Sequence, residues 1–218
     1  EHLSNEAANC LLKTLEEPPP KIILILLAVR ERSLLPTLIS RCQRVELFLL
    51  SASRMERVLI EHFGVAPSKA GLLARLSGGC LGWALSLEQD GGLLKKRSED
   101  LDTLVNLIGA GREQRLAYAA SLASLFTKNR GSVEQMLTLW MGWWRDMLLV
   151  KCGTESFITN IDRHPTLSYQ TEGYSLRQIQ IYLGMIRAAL EQLNQNANPR
   201  LVLEVLMLGM PRSHELSM

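Results

Sequence analysis

The apolar positions of the first 48 residues follow a helix pattern and then a strand pattern, twice over. They recur on one face up to about Glu16, and Ser4 is a candidate N-cap because its hydroxyl can accept from a free amide of the first turn. Prolines from Pro18 onward end this helix. Residues 22–28, IILILLA, are apolar without alternation, which predicts a parallel strand covered on both faces. Pro36 favours a short helix ending near Arg41, and residues 44–48 alternate weakly as a second strand.

Residues 1–48 are therefore predicted to be the tail end of an α/β domain, whereas the spacing beyond them is helical throughout. Residues 49–91 are predicted to form a bundle of three short helices, the first ended by Gly64 and the second capped by Ser68. Gly91 and Gly92 are predicted to link this bundle to a second helical domain, residues 92–218. Its longer helices are expected at about 93–108, 113–128, 132–151, 175–196 and 199–209. The predicted fold class is mainly α.

Three features of the second helical domain carry further expectations. Tryptophans recur at helical spacing in segment 132–151, which predicts that they form a hydrophobic core. Trp144 directly follows Trp143 and so lies beside the main stripe, where it is predicted to pack against another helix or another subunit. The last helix is apolar on more than one face, as a helix between its own domain and neighbouring subunits would be. The polar stretch 153–174 is predicted to be a long, mobile loop.

Composition narrows the class of protein further. The 218 residues are 47% hydrophobic, which is enough to bury a core, and 24 basic against 22 acidic residues give no overall signal for nucleic acid or membrane binding. Four dispersed cysteines favour a reduced, cytoplasmic setting, and neither an export signal nor a membrane anchor is predicted. The basic cluster at Lys95, Lys96 and Arg97 is expected to be a solvated helix face. Because the chain begins at Glu1 with a helix and strand that have no partner, it is expected to be a fragment.

Binding sites for metals and phosphates are not expected in this sequence. None of the four histidines forms a His-Glu-x-x-His pair or lies at ligand spacing from a cysteine; they are His2, His62, His164 and His214. A Gly-x-x-x-x-Gly-Lys-Ser/Thr loop is also absent, so no nest of backbone amides is predicted to hold ATP. The sequence predicts no metal and no cofactor.

Two motifs resemble a known family. The stretch LLKTLEEPP at residues 11–19, followed by LLPTLISRC at residues 34–42, is similar to the AAA+ subunits of bacterial replicative clamp loaders, as is the ending NPRLVLEVLMLGMPR. The resemblance implies a C-terminal remnant of an AAA+ core at 1–48, a three-helix lid at 49–91 and a helical collar for oligomerisation at 92–218.

Departures from the family's active pattern indicate the type of subunit. Where ATP-hydrolysing relatives have a polar residue that senses the terminal phosphate, this chain has Leu26, Leu27 and Ala28, and Gly82 replaces a basic residue of the lid. These positions, with WWRDMLL at 143–149, resemble the delta prime type, the non-hydrolysing stator. The alternative is an ATPase subunit of the gamma or tau type, and a helical scaffold unrelated to clamp loaders is a third hypothesis that leaves the motif spacing unexplained.

Arg41 is the residue to which the resemblance assigns a role. Its guanidinium would act in trans as an arginine finger on a neighbouring subunit's ATP, with Ser40 and Cys42 positioning it. The alternative for Arg41 is a pair with a local carboxylate, while Cys42 is expected to be small and buried rather than reactive. Glu16 and Glu17 are expected to be a solvated helix end, since adjacent helical residues diverge by about 100°.

The resemblance also implies partners and process. They are the delta and gamma or tau subunits, with the sliding clamp and primer-template DNA reached through the complex, and no membrane. The chain itself is expected to catalyse nothing, although it would belong to a DNA-directed DNA polymerase (nucleotidyltransferase) holoenzyme active in DNA replication.

Overall fold

A computed structural model describes residues 4–28 and 34–212 of the chain. Within this part the regular structure is helical and no β-strand forms, so the predicted mainly α fold is confirmed. The chain divides into two compact units, Glu1–Phe48 and Leu49–Met218. The described α-helices are α1 (Asn5–Glu16), α2 (Pro36–Ile39), α3 (Ala52–Phe63), α4 (Pro67–Leu76), α5 (Leu81–Gln89), α6 (Gly91–Gly109), α7 (Arg112–Lys128), α8 (Arg130–Lys151), α9 (His164–Glu172), α10 (Leu176–Asn194) and α11 (Pro199–Leu208).

The first unit begins with the predicted helix. The Ser4 hydroxyl accepts from the Ala7 amide at 3.2 Å, and α1 ends where the Glu17 amide donates to the Lys13 carbonyl at 3.2 Å, directly before Pro18. The short helix α2 has Pro36 at its first position, because the ring fixes a helical φ and the missing N–H would be unpaired there in any case.

The two predicted strands of this unit are wrong. Residues 22–28 and 44–48 have no regular structure, and neither 23–28 nor 45–48 forms a backbone hydrogen bond to another described residue. A strand is assigned by its ladder of hydrogen bonds to a neighbour, and these apolar runs have no such neighbour. Cover on both faces is therefore missing as well: Ile23 is 86% exposed and Leu27 is 84% exposed.

This exposed apolar run, residues 22–28, should promote self-association of the chain. We expect Ile23→Lys to lower the apparent molar mass in size exclusion with light scattering, because a charge opposes packing of two such runs. Gln114→Lys adds the same charge at an exposed position of α7 and should leave the mass unchanged. A wild-type chain that is monomeric throughout the concentration range, or an Ile23→Lys chain that associates as strongly as wild type, would contradict this expectation.

The second unit opens with a small bundle formed by α3, α4 and α5. Its core contains eight buried side chains, Met55, Leu59, Val65, Ala70, Leu73, Ala74, Ala84 and Leu87. Gly64 ends α3 in the left-handed conformation (φ 66°), as predicted. The Ser68 cap is wrong, since Pro67 occupies the first helical turn and the helix already begins there.

Glycine is required at Gly79, which lies between α4 and α5. Its φ is 90°, and a Cβ atom there would lie 2.6 Å from the Leu50 carbonyl oxygen. The Leu50 amide donates to the Gly79 carbonyl at 3.0 Å, so the two backbones are in direct contact. Gly79 therefore anchors the chain that leads into α3.

The predicted linker at Gly91 and Gly92 is a helix instead. Both glycines lie in the first turn of α6, and the Asp90 carboxylate caps that turn by accepting from the Gly92 amide at 2.9 Å. The side-chain cap outweighs the low helix propensity of glycine because it satisfies an amide that the helix leaves free.

The larger core of the second unit is built around α8. Trp140, Trp143 and Trp144 are fully buried, which confirms the predicted core role of the tryptophans. Trp144 packs edge-on against Tyr182 of α10, with ring centroids 4.7 Å apart. It therefore contacts another helix, as predicted, but its full burial in this chain leaves no surface for another subunit.

The stretch 153–174, predicted to be a mobile loop, is ordered by specific contacts. Two 3-10 turns and α9 lie within it. The buried Asp146 carboxylate of α8 accepts from the Thr159 amide at 2.9 Å and from the Asn160 amide at 2.8 Å. Arg97 donates to Asp162 at 2.7 Å, so it is not the solvated cation that the basic cluster predicted. No helix in the described part of the chain is both long and apolar enough to cross a membrane.

Candidate functional site

The candidate site lies in the first unit, just after α2. Pro36 starts the helix and Ile39 is its last residue, after which the Arg41 amide donates to the Leu38 carbonyl at 3.1 Å. This tight turn ends the helix and brings the Arg41 side chain alongside the end of α1. The two sequence motifs, residues 11–19 and 34–42, therefore meet at one position.

The Arg41 guanidinium is held by three groups. Its Nε and Nη2 donate to Glu16 Oε1 at 2.9 and 2.5 Å. Its Nη1 donates to the Thr37 carbonyl at 3.1 Å and lies 3.4 Å from the Ser40 hydroxyl oxygen, which accepts. The side chain remains 35% exposed, so the guanidinium is fixed on one side and open to solvent on the other.

Glu16 is the site residue whose role the sequence did not indicate. It was predicted to belong to a solvated helix end, and its side chain is indeed 51% exposed, yet it pairs with Arg41. It is thus the local carboxylate foreseen as the alternative partner of Arg41. Because 25 positions separate the two residues, no spacing rule for helices or strands signals the pair.

The neighbours of Arg41 differ in what they contribute. Ser40 donates to the Thr37 carbonyl at 3.1 Å and accepts from Arg41, an arrangement that suits a positioning role. Cys42, expected to be buried, is exposed. The reason is that it follows the end of α2 and lines an open cavity instead of a packed core.

That cavity, about 430 Å³, lies between the two apolar runs of the first unit. Leu26, Leu27 and Ala28 line one part of it, and residues 44–48 line another. These three residues therefore offer only aliphatic side chains to this space. Gly82, expected from the resemblance to replace a basic residue, lies in the first turn of α5 with open space around it.

A metal centre outside this site would need ligand side chains grouped among the titratable residues that the structure describes. Among the described residues, no three His, Cys, Asp or Glu side chains are grouped so as to hold a metal ion. His164 pairs with Glu155 at 2.8 Å, while His2 and His214 lie outside the described residues. The described structure thus offers a fixed, exposed arginine as its most distinctive chemical group.

A second surface of interest is the outer face of α11. Its inner face, with Val202, Leu203, Leu206 and Met207, is buried in the core of the second unit. Leu201 and Val205 are each 61% exposed, and Leu208 is 53% exposed. These three residues recur at i, i+4 and i+7, so they form an apolar stripe on one face, which we call the α11 stripe. Apolar stripes of this kind mark interaction surfaces when they are contiguous.

Comparison with known proteins gives a consistent family signal. A family model described as "DNA polymerase III, delta subunit" matches residues 1–50, which include both motifs and Arg41. DNA polymerase III subunit delta' of Bacillus subtilis (strain 168) is 24% identical over 208 residues, covering 95% of this chain and 62% of that protein. This chain is similar to the delta' subunits of DNA polymerase III.

Two further relatives support and qualify this likeness. Subunit delta' of Haemophilus influenzae is 56% identical over 43 residues, which are 20% of this chain and 13% of that protein. Subunit tau of Bacillus subtilis is 26% identical over 224 residues, covering 93% of this chain and 39% of the relative. The delta'-like chain therefore spans less than two thirds of the length of these relatives. The resemblance inferred from the two motifs is confirmed at low overall identity.

Proposed function

We propose that this delta'-like chain is part of a non-hydrolysing stator subunit of a clamp-loader complex, which acts in DNA replication by loading a sliding clamp onto primed DNA. In this role Arg41 enters the ATP site of a neighbouring subunit as an arginine finger. The chain's partners are the delta and gamma or tau subunits of DNA polymerase III, and the setting is the cytoplasm.

The observation that carries this proposal is the state of Arg41. An arginine finger needs a permanently charged guanidinium that is accessible yet oriented, because it must meet phosphate oxygens with a fixed geometry. Arg41 is one third exposed and is anchored by Glu16, Thr37 and Ser40. The decisive test is whether ATP hydrolysis by a complex containing the full-length protein depends on Arg41.

The absence of hydrolysis by this subunit itself is supported by two positions. Ala28, like Leu26 and Leu27, cannot donate a hydrogen bond from its side chain, and Gly82 offers no charge. A site that stabilises a transferring phosphoryl group needs such donors and cations.

An ATPase subunit of the tau type remains the second candidate, because the similarity to subunit tau also extends over 93% of the chain. ATP turnover by the purified full-length protein without partners would favour this candidate. A stator subunit should show none.

Assembly with a purified ATPase subunit tests the α11 stripe. We expect a stable mixed species in size exclusion with light scattering, and Val205→Asp should weaken its formation by about tenfold or more, since a charge at the centre of an apolar interface is desolvated. Val205 is 61% exposed in the free chain, so the substitution should leave folding intact. Gln135→Asp, at an exposed position of α8, is the matched control.

Two outcomes of this assembly experiment would count against the proposal. A folded chain, shown by circular dichroism, that forms no mixed species would contradict membership of the complex at the level of this domain. A Val205→Asp variant that assembles as tightly as wild type would exclude the α11 stripe as the interface.

A further inference from the structure

We propose that Glu16 is a positioning residue for Arg41, which it holds in the orientation required to reach a phosphate group on a neighbouring subunit. The inference rests on the proposed finger role of Arg41 and adds a second residue to it. Glu16 would touch neither ATP nor water in the reaction, and would act only through the guanidinium.

The hydrogen bonds of Arg41 define which donors remain for a ligand. A guanidinium has five N–H groups in a planar fork. The Nε–H and one Nη2–H are directed to Glu16 Oε1, and Nη1 is directed to the Thr37 carbonyl and the Ser40 hydroxyl. The second Nη2–H has no acceptor among the described residues. It is therefore the donor that remains for an anion, and the Arg41 side chain as a whole is 35% exposed.

Fixing the orientation of the Arg41 side chain in advance should speed the reaction at the neighbouring site. A free arginine side chain samples many rotamers. This conformational freedom is lost when the guanidinium binds a phosphate, and the loss costs entropy. Glu16 fixes the fork from the end of α1 while Thr37 and Ser40 fix it from α2, so the plane of the group is set before a neighbour arrives. Preorganised charge of this kind lowers the barrier because little reorganisation is needed in the transition state.

The same pair contributes little to folding. Both side chains are substantially exposed, 35% for Arg41 and 51% for Glu16, and exposed ion pairs add little to stability. Loss of Glu16 should consequently leave the fold unchanged and alter hydrolysis alone. That separation distinguishes a positioning residue from a structural one.

Glu17 provides the matched control. It follows Glu16 directly, carries the same side chain and forms no contact with Arg41, because neighbouring residues at a helix end point in different directions. Substitution of either glutamate changes the net charge of the protein equally. A difference between the two variants therefore reports the contact with Arg41 and not the charge.

The experiment uses the full-length protein in the reconstituted complex with its ATPase subunits, clamp and primed DNA. Glu16→Ala should lower kcat for ATP hydrolysis at the site that Arg41 serves by about three- to tenfold, with KM for ATP unchanged, because the nucleotide is bound by the neighbour. Glu16→Gln keeps one acceptor oxygen and should restore part of the rate. Glu17→Ala should match wild type, and Glu16→Ala should have no further effect when Arg41 is already alanine.

The outcomes separate this inference from the proposed function. If Arg41→Ala lowers the rate and Glu16→Ala does not, Glu16 is no positioning residue although the finger stands. If Glu16→Ala raises the rate, Glu16 sequesters Arg41 and the inference is overturned. If Arg41→Ala itself has no effect, the finger role fails and the inference fails with it.

Discussion

Replacing Arg41 by alanine in the full-length protein is expected to slow ATP hydrolysis at the neighbouring site of the reconstituted complex by about 10³-fold or more, the range in which arginine fingers act. The reason is electrostatic: charge spreads over the phosphoryl oxygens in the transition state, and the guanidinium stabilises it more than the ground state. If the complex contains other ATP sites, the total rate of DNA-stimulated phosphate release should fall only by the fraction that the site served by Arg41 contributes. Assembly should be unaffected, because Arg41 and the α11 stripe lie on different elements.

Two further variants show whether charge or geometry matters at this position. Arg41→Lys retains the charge but lacks the planar fork, so it should recover only a small part of the rate. Arg44→Ala removes another exposed arginine of the same unit, one that pairs with Glu46, and should leave hydrolysis unchanged. Phosphate release that is equal in the wild-type and Arg41→Ala complexes would exclude the finger role.

Several features that depend on local chemistry were predicted from the sequence. Ser4 as a cap, Pro36 at a helix start and Gly64 at a helix end each act within a few residues, and the structure has all three. The linker predicted at Gly91 and Gly92 is wrong although it also rests on local signals, because the Asp90 carboxylate supplies a cap that glycine propensity does not take into account.

Features that depend on distant partners could not be predicted in the same way. The run 22–28 has the composition of a buried strand, yet strand formation requires a neighbour that composition does not specify. Conversely, the polar stretch 153–174 has the composition of a loop but is ordered. The reason is Asp146, a buried carboxylate of α8 that accepts hydrogen bonds from this stretch and that the surrounding tryptophans of the sequence do not indicate. The Glu16 to Arg41 pair belongs to the same class, since only the fold brings the ends of α1 and α2 together.

Arg115 is a buried arginine whose role in stability depends on distant partners in the same way. It lies near the start of α7, in the sequence REQR, where its pattern does not distinguish it from the exposed Arg112. In the structure Arg115 is only 3% exposed. Its Nε donates to the Leu107 carbonyl at 3.1 Å, and its Nη2 donates to the Ile108 carbonyl at 2.7 Å.

The third bond of Arg115 joins distant parts of the second unit. Nη1 donates to the Met210 carbonyl at 2.6 Å, just beyond the end of α11, whereas Leu107 and Ile108 belong to the last turn of α6. One guanidinium therefore satisfies free carbonyls at the ends of two helices, where the helix dipoles also favour a cation. Burial lowers the pKa of Arg115 from its usual value, the cost of placing the charge there.

Arg115→Met is expected to lower the free energy of unfolding by about 3–5 kcal/mol, because three buried carbonyls lose their donor while the apolar stem is retained. The measurement is urea unfolding followed by circular dichroism, with the m-value checked so that the change can be assigned to stability. Arg115→Lys should give an intermediate loss, since one ammonium cannot reach all three carbonyls as a planar fork does.

Arg112→Ala, in the same turn of α7 but exposed, should change stability by no more than about 0.5 kcal/mol. If Arg115→Met unfolds within about 1 kcal/mol of wild type, the three hydrogen bonds must be replaced by water or by movement of α11. α11 also carries the α11 stripe. If Arg115→Met both destabilises the chain and weakens its assembly with the ATPase subunit, the bond from Arg115 to the Met210 carbonyl holds the α11 stripe in its binding position.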